Sequence, residues 1–242
     1  MRNKLVGVVV LLCVALGCVQ SKTEHKSAPP KDGKQSASPA QAGSSGTVLK
    51  DFAGKANPGR PEVPQPFWVY QDKGSRENHY IPSGFMPDGK CISFDDGLLQ
   101  NCHSGKTCIK IIYDVTCSKD GQKWAGIRWL NPANNWGSQK GGYNLTGFQK
   151  LTFWAKGEKG NERIEEFNIG GITGEYPDSD TAVIGPVILT PEWKEYTIDL
   201  RGKDISSISG GFTWSTSVEV NPENCTFYLD DIQYQSVVSQ YN

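Results

Sequence analysis

The sequence predicts an all-β body, a single β-sandwich, and three observations carry that expectation. Apolar runs of strand length recur through residues 66–236, broken by Gly, Pro, Asn and Asp turns. Several runs alternate with period two. No part of that body keeps a long helical apolar period; at most residues 204–208 make one turn. Many short, turn-punctuated strands favour a sandwich or jelly roll over a parallel sheet.

The expected strands are, in chain order, 67–71, 91–94, 107–115, 124–130, 151–156, 163–169, 183–189, 193–200, 211–215 and 226–234. In the fifth, Leu151, Phe153 and Ala155 point one way, and Thr152 and Trp154 the other. In the eighth, Tyr196 and Ile198 alternate with Glu195, Thr197 and Asp199. Asp95-Asp96-Gly97 reads as a turn at a strand end, and Asp178 and Asp180 as a solvated loop.

The segment before the body is of another kind. Arg2 and Lys4 precede an uncharged apolar run over residues 5–16, too short to span a bilayer, which takes about 20 residues. The run ends in Ala15-Leu16-Gly17-Cys18, which resembles the lipobox of bacterial lipoproteins. That resemblance implies a signal peptide at 1–17 and a diacylated Cys18 as the first mature residue. Two acyl chains give stable anchoring to a lipid bilayer, where one is marginal. Val19 follows, not the Asp that often marks inner-membrane retention, so an outer-membrane, surface or periplasmic location is expected. Residues 18–65 comprise that Cys and a linker rich in Ser, Ala, Pro, Gly, Lys and Gln, expected to be disordered. A short tail, 237–242, follows the body.

A formal net charge of -1 provides no basic field for nucleic acid, so none is expected as a partner. Of seven cysteines, Cys13 lies in the signal and Cys18 is the lipidation site. Cys91, Cys102, Cys108, Cys117 and Cys225 remain, in a compartment that favours disulfides. Five is odd, so at least one thiol is free or pairs between chains; the pairing stays open, with Cys91, Cys102 and Cys108 able to supply one bridge. The chain has no C-x-x-C spacing, nucleophile elbow, metalloprotease His pair or phosphate loop. Adjacent Glu165 and Glu166 face opposite sides of a strand and cannot converge on one glycosidic bond. No catalysis is expected.

The last third resembles the end of a galactose-binding-like jelly roll, the fold of many bacterial carbohydrate-binding modules. The resemblance rests on residues 191–200 (PEWKEYTIDL), on Gly210-Gly211-Phe212-Thr213-Trp214 and on Thr226-Phe227-Tyr228-Leu229-Asp230-Asp231-Ile232. Residues 124–129, Asn134-Asn135-Trp136-Gly137 and residues 151–157 agree with it. It implies non-catalytic binding of a polysaccharide or other glycan. Sugar rings stack on aromatic faces while amides and Arg bond the hydroxyls. Arg128, Trp129, Asn134, Asn135 and Trp136 have that composition at a strand end and its loop. Trp214, after two glycines where a backbone can approach a ligand, and Tyr80 are further candidates. The resemblance also implies a structural calcium ion, for which Asp230 and Asp231 with Asp72 and Glu77 (or Asn78) supply oxygens. The alternatives are a sandwich that docks a protein partner, or an accessory subunit of a glycoside hydrolase system.

Overall fold

The computed structural model describes residues 66–117 and 123–236. The expected signal peptide, lipidated Cys18, linker and tail lie outside the described residues. The strands are β1 (Phe67–Tyr70), β2 (Ile81–Met86), β3 (Ile92–Leu98), β4 (Cys108–Tyr113), β5 (Trp124–Leu130), β6 (Lys150–Gly157) and β7 (Arg163–Ile164). They continue with β8 (Glu166–Gly170), β9 (Thr181–Ile184), β10 (Val187–Ile188), β11 (Lys194–Asp199), β12 (Gly210–Ser217) and β13 (Cys225–Gln235). No α-helix occurs among the described residues.

The strands form a jelly-roll β-sandwich of two antiparallel sheets. The terminal sheet has the order β11-β6-β13-β4-β3, with β1 paired to the far end of β13. The second sheet has the order β2-β5-β12-β8-β9, and β7 pairs with β10 in a small ribbon. The core is set by alternation. From the terminal sheet come Ile109, Ile111, Leu151, Phe153, Phe227 and Leu229; from the second, Ile127, Trp129, Phe167, Ile169, Phe212 and Trp214. Their rings interlock across the sandwich: Phe153 meets Phe167 at 4.6 Å and Phe212 at 5.1 Å, and Trp214 meets Phe227 at 5.0 Å between centroids. Truncating one such buried ring to Ala costs about 3–5 kcal/mol.

The expected phase of β6 and β11 holds: Leu151, Phe153, Ala155 and Ile198 are buried in the core. Three differences have local causes. β2 was not expected as a strand, because Pro82 and Gly84 punctuate it; it sits at the sheet edge, where Pro is tolerated. Asp95, Asp96 and Gly97 continue β3 through a register shift instead of ending it in a turn. The runs at 163–169 and 183–189 each split in two, giving β7 with β8 and β9 with β10.

Two disulfides join Cys91 to Cys117 and Cys102 to Cys108, and Cys225 is the leftover thiol, buried in the core. Burial pushes its pKa up to about 12, with the Glu162 charge adding to the effect, so the thiol is inert at neutral pH.

Candidate functional site: the outer face of the second sheet

Alternation along three neighbouring strands fixes what this face presents. Phe212, Trp214 and Thr216 of β12 are buried inward, so Thr213 and Ser215 point out. Phe167 and Ile169 of β8 point in, so Glu166 and Asn168 point out; Ile127 and Trp129 of β5 point in, so Arg128 points out. The register then aligns them. Thr213 pairs with Arg128 on one side and Asn168 on the other. Gly84 of β2 pairs with Arg128, and Val183 of β9 with Asn168. The result is one row across five strands, Gly84–Arg128–Thr213–Asn168–Val183.

The middle of this row is polar and short of partners. Arg128 Nη1 donates to the Gly170 carbonyl at 3.0 Å, and Asn168 Nδ2 donates to Glu166 Oε1 at 2.9 Å. Arg128 Nε, Thr213 Oγ1 and Asn168 Oδ1 are buried and have no hydrogen-bond partner in the protein. An unpaired buried polar group costs about 1–3 kcal/mol. Trp129 Nε1 and Trp214 Nε1 in the core are unpaired as well; what distinguishes these three is that their residues share one row on the outer face. Burial pulls the Arg128 guanidinium below its ordinary pKa, while the charges of Asp178 and Glu166 push the other way. Asp178, read from sequence as a solvated loop residue, instead accepts the amides of Ile172, Ser209 and Gly210 and fixes the loop above the row.

Trp136 stands at the end of this row. It is 45% exposed, and a Cβ on Gly84 would lie 3.0 Å from its Cζ2. Glycine at 84 therefore lets the indole settle against β2. The loop that carries Trp136 is pinned by Asn134, whose amide donates to Ser83 Oγ at 2.9 Å and whose φ is 58°. Arg128, Asn134 and Trp136 thus come together at this face.

The other candidate residues go elsewhere. Trp129 and Trp214 have no exposed surface and pack in the core, so neither can stack on a sugar beside Trp136. Their phase with Ile127 and Phe212 explains it: residues two apart share a face. Asn135 is buried; its Oδ1 accepts the Gly137 amide and its Nδ2 donates to the Gln139 carbonyl, shaping the loop from within. Tyr80 is 3% exposed, its hydroxyl donates to the Ile208 carbonyl, and its ring lies where a Cβ on Gly211 would be, at 2.5 Å. The glycine pair at 210–211 therefore admits Tyr80, not a ligand. Thr213 and Asn168 were missed from sequence, although their opposite phase to Phe212 and Phe167 placed them outward.

The expected calcium ligands do not fit a hard cation. A bulge in β13, with Asp231 at φ 49°, turns Asp230 and Asp231 towards the loop before β4. Asp230 Oδ2 accepts the amides of His103 and Ser104, and Oδ1 accepts that of Asp231. Asp231 accepts Ser104 Oγ–H and His103 Nδ1–H, since a carboxylate only accepts. Asp72 Oδ1 accepts the amides of Lys106 and Thr107. The carboxylates expected to hold the ion are thus engaged by the loop's own N–H donors, and Glu77 lies in an exposed turn. Cys102 Sγ, Cys108 Sγ and an Asp230 oxygen lie within 4.8 Å of one another, but the sulfurs are bonded together and are not thiolate ligands.

What the row offers is a donor guanidinium, a hydroxyl, a carboxamide acceptor and a flanking indole: the chemistry that holds a polyhydroxylated ring. Among solved structures, a family 30 carbohydrate-binding module is similar at 15% identity and TM-score 0.47, over 73% of this chain and 90% of that one. The family 30 module of a cellulosomal cellulase of Clostridium thermocellum is similar at 16% identity and TM-score 0.45, over 73% and 99%. A xylan-binding domain from Paenibacillus barcinonensis is similar at 12% identity and TM-score 0.37, over 64% and 88%. No protein-family profile and no curated protein matches the chain.

Proposed function

We propose that this protein binds a neutral glycan, without catalysis, on the outer face of its second sheet. One observation carries the reading: an exposed indole, Trp136, flanks a row of outward-pointing polar side chains, Arg128, Thr213 and Asn168, on one sheet face. Sugar hydroxyls both donate and accept, so successive units of an oligosaccharide lying along the row meet these groups while one ring's C–H face covers Trp136. A shallow site of this kind has affinity on the order of micromolar to millimolar. A glycan array probed with the full chain and with Trp136→Ala tests it. The expected result is a set of neutral polysaccharides bound by the first and lost by the second. An array without ligands, or one unaltered by Trp136→Ala, favours instead the use of this face to dock a protein.

The same proposal includes the anchor. Ala15-Leu16-Gly17-Cys18 supports lipidation of Cys18, and residues 18–65 have the composition of a tether that holds the sandwich away from the bilayer. A protein so held meets extracellular or periplasmic polysaccharide.

A further inference from the structure

We propose that the outer face of the terminal sheet carries a second saccharide site, which takes an acidic sugar of the uronate type. Strand register builds it. Tyr228 of β13 pairs with Lys110 of β4 on one side and Lys156 of β6 on the other. Phe227 and Leu229 face the core, so Tyr228 and both lysines face out. Trp193, just before β11, extends this row.

The lysines are the unusual feature. Both are only partly exposed, and neither forms an ion pair with a carboxylate. Instead Lys156 Nζ lies 4.8 Å from the Tyr228 centroid and 5.3 Å from that of Trp193, and Lys110 Nζ lies 5.6 Å from Tyr228. Two ammonium groups thus converge on one ring, with Asp95 and Glu158 nearby but neither within ion-pair distance.

Beside them opens a cavity of about 290 Å³, lined by Leu98, Gln100, Asn101, Lys110, Lys156, Glu158 and Tyr228. That volume lies near the lower end of small-ligand sites. Glu158 accepts the Tyr228 hydroxyl, so its carboxylate is already engaged. Within the lining two ammonium groups stand against the one carboxylate of Glu158, and Asp95 of β3, next in the row beyond Lys110, has its Oδ1 engaged by the Gly97 amide. The exposed side chains of Gln100 and Asn101 complete the lining and suit ring hydroxyls. Their loop is held by the Cys102–Cys108 bridge and by Trp193 Nε1, which donates to the Asn101 carbonyl at 2.9 Å. The site is therefore formed before a ligand arrives, and it shares no residue with the row on the second sheet.

Calorimetric titration of the full chain with tetragalacturonate, and with neutral cellotetraose as control, tests the assignment. Tetragalacturonate is expected to bind and cellotetraose not to compete for the same site. Removing both charge-assisted donors in the double variant Lys110→Met, Lys156→Met should weaken binding at least about tenfold. Lys156→Arg should retain it, added salt should weaken it, and Trp136→Ala should leave it unchanged, which separates this site from the one proposed above. In the unmodified protein, the side-chain amide resonances of Gln100 and Asn101 should shift with tetragalacturonate. Absence of binding at millimolar ligand, displacement by cellotetraose, unshifted amides, or a double variant that binds as before would overturn the site.

Discussion

At the scale of single residues, the informative ones are polar, buried and unpartnered. Thr213 differs from Val by one hydroxyl, and that hydroxyl has no partner in the free protein. Thr213→Val should therefore stabilise the free domain, by on the order of 1 kcal/mol, and weaken glycan binding. Opposite signs in the unfolding midpoint and the binding constant identify a group kept for a ligand; a loss of both would make Thr213 structural. The tryptophans give a second contrast. Trp136→Ala should abolish binding and barely move the midpoint, while Trp129→Ala should cost about 3–5 kcal/mol. Asp230 gives a third prediction. Burial first, then the charge of Asp231, pushes its carboxyl up to about 7 against three amide hydrogen bonds that pull it down. Unfolded, the group titrates near about 3.9. Between those values the folded state holds the extra proton, so this residue's contribution to stability falls as pH rises through that window. Asp230→Asn should flatten that part of the profile, read from urea midpoints at pH 4.5, 6 and 7.5; an unchanged slope would assign it elsewhere.

At the scale of elements, period-two patterning made most strands legible and left their faces half-legible. β5 and β12 were placed closely, but an isolated Trp in a strand looks the same whether it fills the core or covers a groove. The phase of its neighbours decides: Ile127 with Trp129, Phe212 with Trp214. The row across the second sheet was invisible for a different reason. Arg128, Thr213 and Asn168 are separated by tens of residues and meet only through register, which depends on both sheets being paired. β2 was hidden by Pro82 and Gly84, and the loop at 171–180 by an Asp178 that resembles any turn residue until its amide partners are seen. The acidic pair of β13 was legible as a feature and not as chemistry, because His103 and Ser104 fold onto it. Chelation with EDTA should accordingly leave the thermal midpoint unchanged; a fall reversed by calcium would restore the cation. The Cys91–Cys117 bridge spans 26 residues, a closure that stabilises by about 3 kcal/mol in the chain-entropy view. Its Ser–Ser replacement should lower stability by that order in chemical denaturation.

At the scale of the whole molecule, the two sheets turn different surfaces outward: a polar row centred on Arg128 beside an indole on one, and a lysine–tyrosine row on the other. The proposed anchor would hold both at a membrane surface. Cys18→Ala should move the protein from the membrane to the soluble fraction, and a variant that remains membrane-bound would exclude lipidation at that residue. Binding on the second sheet is tested most directly by the seven tryptophan indole N–H resonances, one for each Trp of the chain, together with the Asn168 side-chain amide. These are followed by NMR while a neutral oligosaccharide selected on the array is added. The expected result is a saturable shift of the Trp136 indole and the Asn168 amide, with the buried indoles of Trp129 and Trp214 unmoved. A shift confined to other tryptophans, or none at saturating sugar, would contradict it.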